Sequence, residues 1–158
     1  MKGKNNDGVK FIPDALKKGA KYIVSSKVVK KYKQKTIRVK NEVSFLRQFA
    51  IHKRKNSSAK IIAITGSAGK TSLKNLIKEL LQKFGKTHSS PKSFNNQLGV
   101  PISLSNLEAS TEYGVFEVGM SKSGEIKCIF DFMTNKKRGI KIILESNPDL
   151  LLIDRLVF

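Results

Sequence analysis

Twelve consecutive residues, Ile61-Ile62-Ala63-Ile64-Thr65-Gly66-Ser67-Ala68-Gly69-Lys70-Thr71-Ser72, constrain this chain more than any other feature, because they read as buried strand, glycine turn and helix start without a break. Four apolar, mostly β-branched residues make the strand, and Gly66 and Gly69 let the backbone curl until successive N–H groups face inward. That concavity fits phosphate oxygens. Lys70 adds a point charge for terminal phosphates, and the Thr71 hydroxyl stands where a magnesium ion bridging them would sit. The helix that follows contributes its positive end. Gly66, Ser67, Ala68, Gly69, Lys70, Thr71 and Ser72 are thus the candidate phosphate-binding residues. The full motif carries a glycine where this chain has Ile64, so this is the shorter G-x-x-G-K-T-S form. Leu73, Leu76, Ile77, Leu80, Leu81 and Phe84 recur at helical spacing and predict one apolar face, with Gly85 as the C-cap. The competing reading is an ordinary strand-to-helix turn with an exposed lysine.

A chain of 158 residues holds one ordinary domain or two small ones. No apolar run approaches the roughly 20 residues of a membrane span, and Met1 to Asn6 lack the apolar segment of a signal peptide, so the expected compartment is the cytoplasm. Cys128 is the only cysteine, which excludes an internal disulfide. The formal charge of +19 is concentrated early: residues 1–60 hold 18 Lys/Arg against 3 Asp/Glu. A basic nucleic-acid-binding module would carry such an excess and bind with steep salt dependence. The lysines are nevertheless spread over turns and helix faces with little aromatic interleaving, as in Lys30-Lys31-Tyr32-Lys33-Gln34-Lys35. A solvated face is the better reading, with no specific nucleic-acid partner, and it would also attract an anionic nucleotide-sugar.

In chain order, Lys2 to Gly8 are turn formers with nothing before them to make a first strand. A short helix follows from Pro13 to Lys18, closed by Gly19. Strands are expected at Lys21–Ser25 and Thr36–Val39, then a helix opening near Asn41 with Val43, Leu46, Phe49 and Ala50 on one side. The polar stretch His52–Ser58 reads as a linker, and His52 as solvated. Lys86–Pro91 predicts a strand; His88 alone is not a metal site. Asn95 and Asn96 can present donors and acceptors to a polar ligand, or can cap the helix that Pro101 starts. Tyr113 to Met120 predicts a second buried strand with Glu117 near its C-terminal end, the end at which ligands sit in a parallel α/β sheet. There Glu117 either reaches a magnesium ion or lies in solvent.

Taken together these residues resemble the Mur ligases, the ATP-dependent amide-forming enzymes of peptidoglycan synthesis. The resemblance runs through Lys2-Gly3, Asp7-Gly8 and Phe11-Ile12, the loop Thr65–Ser72, Asn95-Asn96-x-x-Gly99-Val100-Pro101, and Glu117-x-Gly119-Met120-x-x-x-Gly124-Glu125-Ile126. It implies an α/β fold: a small N-terminal substrate-binding unit over 1–58 for a UDP-sugar, part of a P-loop parallel-sheet ATP-binding domain over 59–126, and a tail over 127–158 without clear resemblance. The family members it points to join D-alanyl-D-alanine to UDP-N-acetylmuramoyl-tripeptide. The implied roles are ATP binding by Gly66–Ser72, stabilisation of the transferred phosphoryl group by Lys70, Mg2+ binding by Thr71 and Glu117, and substrate contacts by Asn95 and Asn96. Lys70 and Glu117 are then the catalytic candidates.

Departures from the family pattern temper the implied activity. Thr134-Asn135 is a faint echo of a family pair, no histidine occurs beyond His88, and the lysine that relatives carbamylate has no counterpart. The tail reads as foreign, as a frameshift would make it, and an incomplete active site is expected. A nucleotide-binding protein without ligase activity is the third reading. No oligomeric state is implied.

Overall fold

In a computed structural model the chain is α/β and divides into two compact units, residues 1–46 and 47–158. The structure describes residues 7–66, 68–92, 94–119, 129, 133, 140–146 and 149–153, the last two stretches by their strand pairing. The expectations placed on Lys2-Gly3, Ser67, Met120, Gly124 to Ile126, Cys128 and Thr134-Asn135 fall outside them.

In the first unit, the Asp7 carboxylate accepts from Val9 N at 3.2 Å and opens a short 3-10 turn that runs into α1 (Ile12–Lys17). Pro13 sits in its first turn, where a missing N–H costs nothing, and Gly19 turns the chain out of it at φ 94°. β1 (Ile23–Ser25) pairs in parallel with β2 (Thr36–Arg38), Ile23 opposite Thr36. Both strands are shorter than expected, and a 3-10 segment over Lys30–Lys35 lies between them. Asn41 caps α2 (Glu42–Lys55), its Oδ1 accepting from Ser44 N at 2.9 Å. Of the expected apolar side of α2, Ala50 is buried and Val43 and Leu46 are half-buried, but Phe49 is exposed. Phe45, one turn earlier, takes the half-buried place.

The second unit is a five-stranded sheet in the order β4-β5-β3-β6-β7, built from β3 (Lys60–Gly66), β4 (Thr87–Ser89), β5 (Tyr113–Glu117), β6 (Ile140–Ser146) and β7 (Asp149–Ile153). Four strands run parallel and β7 returns antiparallel. α3 (Lys70–Gln82) and α4 (Gly99–Ser105) are its crossover helices. Ile61, Ala63, Phe116 and Val118 pack with Val100, Leu104, Leu107 and Ala50 on one face. By strand alternation Val115 and Glu117 point to the other, the face that Thr71 of α3 touches.

Three expectations about helices and their ends are corrected here. The stretch His52–Ser58 is not a free polar linker: it is helical as far as Lys55, and Arg54 is fully buried, donating Nε to Met133 O at 2.8 Å and Nη1 to Ala59 O at 3.1 Å. The apolar face of α3 is rotated. Leu73, Ile77 and Leu81 are half-buried and Lys74 is buried, while Leu76, Leu80 and Phe84 are exposed, Phe84 by 73%. At about 100° per residue, Lys74 lies on the flank of the stripe opposite to Leu76, and the helix presents that flank to the sheet. Gly85 is not the C-cap, which is Lys83 in ordinary right-handed geometry; a Cβ on Gly85 would instead strike the Glu112 carboxylate at 2.5 Å. The tail, read as foreign, supplies β6 beside β3 and then β7.

The first unit also carries an acid-sensitive contact. Glu42 accepts from both Ser26 N and Ser26 Oγ at 2.8 Å, and these bonds lower its pKa from 4.5 to about 2. A carboxylate with a depressed folded pKa stabilises the fold above its unfolded value, and that contribution fades as pH falls from 4.5 towards 2. Glu42→Gln should therefore narrow the stability difference between pH 6 and pH 3, measured by urea unfolding; an unchanged difference would refute the contact.

Candidate active site

β3 delivers the chain to the loop at Gly66, whose φ of 152° suits glycine, and Gly69 at φ 71° is the N-cap of α3. Both torsions lie where a Cβ is strained, so the two glycines are what lets the strand turn into the helix within this length. Lys70 folds back over the loop, its Nζ donating to Gly66 O at 2.8 Å. Ala68 and Gly69 are exposed, as are Thr71 and Ser72 on the first turn of the helix.

Beside the loop stands Glu117, the last residue of β5 and only 2% exposed. The parallel register sets it opposite Ile64, and Val118 N donates to Ile64 O at 2.8 Å just beyond. Its Oε2 accepts from Thr71 Oγ1 and its Oε1 from Asn95 Nδ2, each at 2.8 Å. The strand-end glutamate is thus not in solvent. The two asparagines separate in role: Asn95 meets Glu117, whereas Asn96 Oδ1 accepts from Leu98 N at 3.1 Å and Gly99 N at 2.8 Å and shapes the entry to α4. Of the two uses left open by the sequence, helix entry is seen at Asn96, while Asn95 bonds the Glu117 carboxylate.

One residue of the site was missed. Lys74, 2% exposed, donates its Nζ to Ser90 O at 3.0 Å and Lys92 O at 2.6 Å. Burial pushes this ammonium below the ordinary lysine pKa, with the Glu117 charge pulling the other way. Its spacing was the available signal: four residues after Lys70, it lies on the same side of the helix as the loop lysine. His88 is half-buried against the Phe116 ring, 5.7 Å between centroids, and burial lowers its pKa. Among the described residues no three His, Cys, Asp or Glu side chains gather as a metal cluster.

The donor set nevertheless suits a hard cation bound together with phosphates. Among the described residues the buried Glu117 carboxylate accepts from the Thr71 hydroxyl and the Asn95 amide, and its charge acts on the nearby Lys74 ammonium. Thr71 and Glu117 place a hydroxyl and a carboxylate together, both oxygen ligands. At the root of the loop Thr65 Oγ1 is buried with no hydrogen-bond partner among the described residues.

The Mur ligase middle domain family matches residues 64–136, the span that holds this loop, Asn95 and Glu117. Residues 64–136 thus carry a Mur ligase middle domain. The UDP-N-acetylmuramoyl-tripeptide–D-alanyl-D-alanine ligase of Rickettsia prowazekii is 47% identical over 123 residues, 77% of this chain and 27% of that protein. The ligase of the same name from Buchnera aphidicola (Acyrthosiphon pisum) is 39% identical over 154 residues, 98% of this chain and 31% of that protein. Similarity to Mur ligases therefore continues past Ile126, where the motifs stop. Among solved structures, MurF from Acinetobacter baumannii superposes with a TM-score of 0.73 at 28% identity, covering 84% of this chain and 29% of that one. MurF ligase from Thermotoga maritima in complex with ADP gives 0.70 at 31% identity, covering 86% and 32%. The chain thus spans under a third of the length of these Mur ligases.

Gly119 packs closely against Asn95 in this candidate site. Gly119 N donates to Asn95 O at 2.7 Å, and a Cβ on Gly119 would come within 2.9 Å of Asn95 Cγ. Gly119→Ala should therefore push the Asn95 amide off Glu117. Losing a hydrogen bond to a charged acceptor costs about 1.5–3 kcal/mol. The check is chemical denaturation of Gly119→Ala against Asn95→Ala and the double variant; additive losses would show that the two residues are not coupled.

Proposed function

We propose that residues 47–158 form the ATP-binding part of a Mur ligase that adds D-alanyl-D-alanine to UDP-N-acetylmuramoyl-tripeptide in the cytoplasm. The observation that carries this reading is the convergence of Thr71 and Asn95 on the buried Glu117 beside the loop lysine. The names of the relatives supply the substrates, and the ADP complex of the Thermotoga relative supports the nucleotide.

In this reading the tripeptide's terminal carboxylate takes the γ-phosphoryl group of ATP, leaving ADP, and the amine of D-alanyl-D-alanine then displaces phosphate to form the amide. The protein's part is alignment and charge neutralisation. Gly66 to Ser72 cradle the triphosphate with backbone N–H groups and the N-terminus of α3. Lys70 exchanges its contact with Gly66 O for phosphate oxygens. Thr71 and Glu117 hold Mg2+, which supplies positive charge to the phosphates when bound. Asn95 orients the Glu117 carboxylate from the substrate side, and Asn96 sets the turn around it. The first unit, with its excess of lysine, takes the UDP-sugar.

Lys70→Ala should weaken binding of ATP with Mg2+ about ten- to hundred-fold, the equivalent of one charge-assisted hydrogen bond of roughly 1.5–3 kcal/mol. Calorimetric titration measures it, with circular dichroism to confirm the fold. Equal affinity in variant and parent would remove the assignment of the loop.

A further inference from the structure

Lys74 has no part in the chemistry just described, yet it is a buried cation at the centre of the site. A lysine with 2% exposure gives up most of the hydration of its charge, so its partners must compensate for that loss. Among the described residues its hydrogen-bond partners are two backbone carbonyls, Ser90 O and Lys92 O, on the segment that leaves β4, with the Glu117 charge nearby. That segment is tied to the site on its other side as well. Ser90 N donates to Val115 O at 3.0 Å, and Ser90 Oγ accepts from Glu117 N at 3.2 Å. Lys92 has φ 48°, the left-handed region that a non-glycine residue enters at a cost. Such a torsion persists only where the surroundings impose it, and the 2.6 Å bond from Lys74 to Lys92 O is the contact at hand to do so. Beyond this turn the chain reaches Asn95, which meets Glu117.

We infer that Lys74 is a positioning residue: from α3 it holds the turn through Ser90 and Lys92 and so sets the Asn95 amide against the Glu117 carboxylate. The helix that carries the loop lysine and Thr71 is thereby fastened to the segment that carries Asn95, and the two sides of the site keep one geometry. The inference rests on the proposed nucleotide site for its consequence on ligand binding, but not for the geometry itself.

Two measurements on the 158-residue chain separate these. In the ligand-free protein the side-chain amide signal of Asn95, assigned by its loss in Asn95→Ala, should move in Lys74→Met towards its position in Glu117→Gln. Lys74→Arg, which keeps charge and donors, should return it most of the way. In calorimetry, Lys74→Met should keep Mg2+-free ATP affinity within about twofold of the parent and lose about tenfold of the gain that Mg2+ brings, the scale of one charge-assisted bond. A structural lesion would lower both affinities alike. An unmoved Asn95 signal or an undiminished Mg2+ gain in folded Lys74→Met overturns the inference, as does failure of both Lys74→Met and Lys74→Arg to fold, since the residue would then be structural only. A parent chain that binds no ATP would count against the proposed function and leave the ligand-free amide signal to decide the role of Lys74.

Discussion

The site depends on the parallel pairing of β3 with β5 in one register, Ile64 opposite Glu117. Side chains alternate across a strand, so a slip by one residue would carry Glu117 to the face of Phe116 and Val118 and bury its carboxylate among apolar groups. In the observed register it faces α3 instead. The neighbouring bond from Val118 N to Ile64 O extends the pairing one step past the strand, to the point where β3 becomes the loop. Hydrophobic packing on one face therefore fixes the position of a charge on the other.

The charge balance at that position is deliberately local. The surplus of lysine lies mostly in residues 1–60, where it is screened over about a Debye length in physiological salt. Within the site two cations matter at short range: Lys70 on the loop carbonyl and Lys74 on the carbonyls of Ser90 and Lys92. The Glu117 charge acts on the Lys74 ammonium from nearby. The carboxylate is held by a hydroxyl and an amide, donors that orient it without neutralising it. In the proposed function this is the carboxylate that meets the cation arriving with phosphates.

Much of this was legible before the structure. β3, the glycine turn and the start of α3 follow from local chemistry, since β-branched residues, two glycines and a helical repeat act within a few residues of one another. The placement of Glu117 at the end of β5 follows from alternation and the known polarity of parallel sheets. What was not legible is whatever depends on contacts distant in sequence. The division of labour between Asn95 and Asn96 is decided by Gly119 and Glu117, more than twenty residues on. The buried face of α3 is decided by the sheet it meets, and it includes a lysine that periodicity assigns to solvent. Arg54 reads as part of a basic linker until the carbonyls of Ala59 and Met133 are brought to it. The strands β6 and β7 carry no motif, and short apolar runs like theirs are ambiguous by pattern alone; their pairing becomes visible only beside β3.

The departure from the full phosphate-loop pattern has its explanation in the same register. Ile64, where the longer motif has glycine, is fully buried and paired within β3, two residues before the chain turns. No loop torsion is demanded there. The turn begins at Gly66 and ends at Gly69, and these are the positions with φ values that favour glycine. A glycine at position 64 would remove a packed side chain and loosen the strand beside Glu117, at a cost of roughly 0.5–1 kcal/mol in backbone entropy alone. The shorter motif keeps the strand rigid up to the loop, and the carboxylate across from Ile64 takes its position from that rigidity.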